Sequence, residues 1–113
     1  VWFAGDTGLY DEMADLPEWA GSPIDVAIVP IGGWGVRLPI GHLGPLQAAE
    51  ACARVGARWA LPIHWGSLHT PLLGNIPRGW MDRPGQEFVE ALALAAPDCE
   101  PISLLPGQSS TIG

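Results

Sequence analysis

The chain has no lysine, and its five arginines stand against twelve acidic residues, for a formal charge of −7. Nucleic acids and anionic membrane surfaces are held by clustered basic side chains, so this balance excludes both as partners. Cysteine is scarce as well. Cys52 and Cys99 are too few for a disulfide framework and lie in no close-spaced metal pattern, so they read as buried thiols of a reducing, cytoplasmic compartment. No apolar run approaches the roughly 20 residues that cross a bilayer, and the first residues lack a charged-then-apolar signal pattern. An opening methionine is also lacking. Val1 starts inside an apparent strand, so the expectation is a partial domain over 1–113 whose N-terminal half lies upstream. The 113 residues are enough for one core and short for an α/β enzyme.

Glycine (15) and proline (12) are plentiful, and they fall between apolar segments as loop punctuation. Four strands alternating with three helices follow from that spacing. Val1 to Ala4 is a strand remnant, and Gly5-Asp6-Thr7-Gly8 turns it into a helix over Leu9 to Leu16 that Pro17 stops. Val26-Ala27-Ile28-Val29 is a continuous apolar run of the kind covered on both faces. The long loop from Ile31 to Gly44 follows, with Trp34 inside it; its glycines match neither the dinucleotide fingerprint nor the P-loop. Pro45 opens a helix to Val55, stopped by Gly56, with Leu46, Ala49, Cys52 and Ala53 inward and Glu50 paired with Arg54 outward. It returns to Trp59-Ala60-Leu61-Pro62-Ile63 as the crossover between two parallel strands. Trp65 to Arg83 is irregular and apolar and reads as a site wall or lid. The last helix, Pro84 to Ala96, turns Phe88, Ala91, Leu92 and Ala95 inward, and Ile102 to Leu105 is the final strand.

The chemistry collects at strand ends. Ligands in α/β sheets bind beyond the carboxyl ends of the strands, and Asp6, His42 and His64 each follow one. Asp6, His64 and the later His69 each have a bland reading when taken singly: a helix cap, a core histidine and a loop histidine. Together Asp6 and His64 are the oxygen and nitrogen donors of a hydrolytic metal centre. A Ser-His-Asp triad fits less well, because Ser67 sits in no G-x-S-x-G elbow.

The segments Phe3-Ala4-Gly5-Asp6-Thr7-Gly8, Val29-Pro30-Ile31-Gly32, Gly41-His42-Leu43-Gly44-Pro45 and Pro62-Ile63-His64-Trp65-Gly66 resemble the C-terminal half of a metallo-β-lactamase-fold hydrolase. Within that superfamily they resemble the branch of ascorbate-phosphate lactonases and N-acyl-phosphatidylethanolamine phospholipase D enzymes. The resemblance implies half of an αββα sandwich, a mixed sheet with helices on one face whose other face is apolar and bare, favouring association of copies. It implies two zinc ions, with manganese as the alternative; Asp6 as the carboxylate bridging them, His64 as a ligand of the second, and His42 as a catalytic residue that is not a ligand. Trp34 and His69 fall to substrate binding. The family reaction is attack by a metal-bound hydroxide on a lactone or phosphodiester, in a small-molecule or lipid-derived substrate. The family's H-x-H-x-D-H cluster is absent, so the resemblance implies an enzyme parent and an inactive isolated stretch. A stand-alone interaction module that keeps half the fold, and a flavodoxin-like nucleotide binder, are the alternatives.

Overall fold

The computed structural model describes residues 1–32, 41–65, 83–105 and 107–112. Its elements run in chain order: β1 (Trp2–Phe3), a 3-10 turn (Asp11–Asp15), α1 (Leu16–Ala20), β2 (Val26–Pro30), α2 (Pro45–Val55), β3 (Trp59–Ile63), α3 (Arg83–Ala95) and β4 (Glu100–Pro101). The strands form one sheet in the order β1-β2-β3-β4. Each of its three pairings is parallel, which corrects the expectation of a mixed sheet among the described residues. The α/β class and the helices' place on one face stand. The β2–β3 pairing is the longest, from Val26 opposite Trp59 to Pro30 opposite Ile63.

Side chains alternate along each strand, so this register sorts the sheet into two faces. Ala27, Val29, Ile31 and Ala60 point into the core, where α2 and α3 pack together over them. On the opposite face Phe3 is 64% exposed, and Ile28, Leu61 and Ile63 are only half-buried.

Helix α2 has the bounds its sequence predicts: Pro45 in the first turn, where a missing N–H costs nothing, and Gly56 in the left-handed conformation at the end. Its inward face differs. Ala48, Ala49, Ala51, Cys52 and Val55 are buried, whereas Leu46 is 65% exposed. Small residues let the helix lie close to the sheet, and the large Leu46 falls outside that stripe. Arg54 reaches Glu50 at 3.3 Å, as expected, and also Asp11 at 3.4 Å, which ties the 3-10 turn to α2.

Three further expectations shift. Pro17 does not stop the first helix; it sits in the opening turn of α1, and Gly21 at φ +74° ends it. Ala95 at the end of α3 is exposed, while Phe88, Ala91 and Leu92 are buried as expected. The last strand is Glu100–Pro101, earlier than Ile102 to Leu105, although Ile102 still donates to the Ala60 carbonyl at 2.8 Å.

Both cysteines are buried and unpaired by disulfide. A side-chain hydrogen bond with Cys99, together with burial, pushes the Cys52 thiol far up and keeps it protonated. The same hydrogen bond holds the Cys99 thiol below its ordinary value. Cys52 of the native chain should therefore not react with an aromatic disulfide reagent at neutral pH and should react once denaturant is added; prompt native labelling of Cys52 would contradict the packing.

Phe88 is fully buried and Leu94 is 88% exposed on the same helix. Phe88→Ala should destabilise by about 3–5 kcal/mol, and Leu94→Ala by no more than about 0.5 kcal/mol. Denaturant unfolding with equal losses for the two variants would show that α3 is packed the other way round.

Candidate functional site

The sheet is parallel, so β1, β2 and β3 all end on one edge, and the predicted site residues follow those ends. Gly5, at φ +66°, turns the chain after β1 and presents Asp6. His64 follows β3 directly and is itself left-handed, at φ +61°. That region is uncommon for a side chain other than glycine, and strain of this sort gathers at functional sites. Between the two lies β2. Alternate strands of a sheet stand about 9–10 Å apart. The side chains close that distance: Asp6 Oδ1 and His64 Nδ1 are 3.8 Å apart, across the end of β2.

A gap of 3.8 Å is too long for a hydrogen bond. It lies within the span of two ligands on one ion, since zinc bonds to nitrogen and oxygen run about 2.0–2.2 Å each. The side chains are 73% and 39% exposed for Asp6 and His64, open to what lies beyond the edge. The donor set therefore fits a divalent metal as two members of a shell. Among the described residues no group of three or more His, Cys, Asp or Glu forms a cluster for a metal.

His42 comes to the same edge by a different route. It is half-buried in the turn before α2, next to Gly41 at φ +83°. A Cβ built on Gly8 would sit 3.7 Å from Gly41 Cα, so the Asp6 turn and the His42 turn lie against each other. Asp6 and His64 thus meet at one edge, and the turn that carries His42 lies against the turn that carries Asp6. Trp34, His69, most of the long loop and most of the expected lid lie outside the described residues.

Two prolines shape this edge, and sequence reasoning overlooks them. In a parallel ladder successive residues direct their backbone groups to alternate neighbours. Ile28 accepts from Ala4 at 3.0 Å, so Pro30 faces β1, with no N–H to give it. The β1 ladder ends there and the chain is free to turn to Asp6. Ala60 accepts from Ile102, so Pro62 faces β4, again with no donor. Its carbonyl takes the Trp65 indole N–H at 3.4 Å in place of a strand partner. A groove of about 660 Å³ lies on this side of the chain, walled by Trp65, Val89 and Leu105 with Gln86, Glu90 and Ser103. The observable signal was proline at the last or next-to-last position of a central strand, where it is uncommon.

Comparison with known proteins bears on the family and the fold. Residues 1–65 match the family model described as a beta-lactamase superfamily domain. Among curated proteins, a UPF0173 metal-dependent hydrolase of Nitratidesulfovibrio vulgaris is 38% identical over 110 residues, covering 96% of this chain and 38% of its own length. A UPF0173 metal-dependent hydrolase of Korarchaeum cryptofilum is 32% identical over 109 residues, covering 96% of this chain and 41% of its own. The chain thus spans about two fifths of the length of these relatives. Among solved structures, one described as a novel metallo hydrolase from the archaeon Ignicoccus hospitalis superposes with a TM-score of 0.69 at 22% identity, over 99% of this chain and 41% of that one. That likeness is one of fold.

Proposed function

Since the chain belongs to the beta-lactamase superfamily domain family, we propose that it is one part of a metal-dependent hydrolase domain, with Asp6 and His64 as metal ligands. The observation that carries this reading is the 3.8 Å approach of a carboxylate and an imidazole from two strands that are not neighbours. The printed names of the relatives, metal-dependent hydrolases, support it. Two donors fall short of the three protein ligands that a catalytic zinc takes, so the rest of the shell comes from the remainder of the domain. The half-exposed sheet face with Phe3, Ile28 and Leu61 suits packing against that remainder.

The reading is of two zinc ions, with manganese as the alternative. Such ions lower the pKa of water and polarise the bond to be broken. The side chains of this chain supply the rest. Asp6 has two oxygens and stands at the open edge, so it suits a bridging position and offsets the repulsion between two cations. His64 would give one nitrogen to one site, and its left-handed backbone, at φ +61°, sets the direction of the ring. His42, on the adjoining turn, orients the substrate or moves a proton to or from it. The substrate is a lactone or a phosphodiester, in a small or lipid-derived molecule, and the partly apolar groove beside Trp65 suits its non-reacting portion.

Removal of Asp6 should have the largest effect. In the full-length protein Asp6→Ala loses both metals, His64→Ala loses chiefly one, and elemental analysis of the purified variants reads the difference. Full metal content in both variants would end the assignment. His42→Ala keeps its metal and loses about 10²–10⁴-fold in turnover, the usual loss for a general acid or base. Kinetics on a model lactone and a model phosphodiester measure this and identify the substrate class; metal loss in His42→Ala would make that residue a ligand.

A further inference from the structure

We infer that Gly32 is a positioning residue: the bare backbone just past β2 is the platform over which His64 is held toward Asp6. The inference rests on the reading of His64 as a ligand and goes beyond it, to the means by which the ring is aimed. Gly32 stands just past the end of the strand that separates β1 from β3, against the backbone of His64. A Cβ built there would overlap the His64 carbonyl oxygen, lie 3.2 Å from the carbonyl carbon and 3.5 Å from Cγ of the imidazole. The neighbour is mostly backbone, which cannot swing aside as a side-chain tip can.

The contact also accounts for the unusual conformation of His64. Ile31 donates to the Ile63 carbonyl at 3.0 Å, so the two chains stay paired up to the residue before each of the two in question. Had β3 continued one residue further in extended form, the imidazole would have pointed to the face of Ala60 and Pro62, which the helices cover. The left-handed turn at φ +61° takes it off that face and out to the edge. With the pairing fixed up to Ile63, the His64 peptide turns within the space that a side chain at position 32 would fill. A methyl group there forces the peptide outward, and the imidazole moves with it.

The test is a double-mutant cycle read by zinc affinity, with a chromophoric chelator as competitor and the metal-free full-length protein as the sample. Gly32→Ala should weaken zinc binding about 10–100-fold, the range found when the support of a ligand is removed. Its melting temperature should fall no further than that of Gly56→Ala, a left-handed helix-end glycine remote from the edge, which should leave zinc affinity unchanged. In a His64→Ala background the Gly32 substitution should cost no additional affinity, because the group it positions is gone; equal loss in both backgrounds marks a general structural effect and overturns the inference. If His64→Ala binds zinc as the parent does, the ligand assignment fails and the inference with it. If His64→Ala loses affinity and Gly32→Ala does not, the inference alone fails. Should Gly32→Ala not fold, Gly32→Ala/His64→Gly decides: a glycine at 64 lets the peptide move away, so recovery of the fold locates the clash at residue 64, and continued failure overturns the inference.

Discussion

The five-residue parallel pairing of β2 with β3 is the constraint on which the rest of the structure depends. Parallel strands cannot be joined by a tight turn, so the pairing requires a crossover, and α2 provides it over the core face. The same pairing puts the ends of both strands on one edge. It leaves β1 and β4 as short outer strands, each held for only two residues. The chemistry then follows from where the ladders stop. Asp6 and His64 are 58 positions apart in the sequence and one strand apart in space, and side-chain length bridges that strand.

Much of this was legible from residue order. The α2 boundaries were, because Pro45 and Gly56 are chemically suited to opposite ends of a helix. So was the grouping of Asp6 and His64, because both follow apolar runs that must be strands of one sheet. What was not legible depended on rotation and register. The inward face of α2 turns on which small residues meet the sheet, and an alanine-rich helix has several faces of nearly equal hydrophobicity. Leu46 falls outside the buried stripe for that reason. Proline serves at either end of a helix, and only the 3-10 turn before α1 distinguishes a helix that begins at Pro17 from one that ends there. The mixed sheet was an expectation of the resemblance, and no antiparallel pairing occurs among the described residues.

The strain at His64 and the glycine at 32 are two sides of one arrangement. An imidazole aimed off the end of a strand needs a backbone turn that costs energy, and the turn needs room. The core provides rigidity below it, with Ile31 and Ala60 fully buried beneath the edge. Hence the imidazole is borne by a tightly fixed frame rather than by loop flexibility, which suits the ligand role proposed for it.

Pro30 and Pro62 carry a consequence for how such an edge can change over evolutionary time. A strand end that retained its N–H could be extended by any loop sequence that happened to be extended, and the sheet would creep into the cleft residue by residue. Here the creep is stopped by covalent chemistry on both flanks, toward β1 and toward β4. Loops rooted at these ends are therefore free to vary in length and composition without extending the sheet. The frame stays constant while its rim is rewritten, which is the condition under which one scaffold can come to serve many substrates.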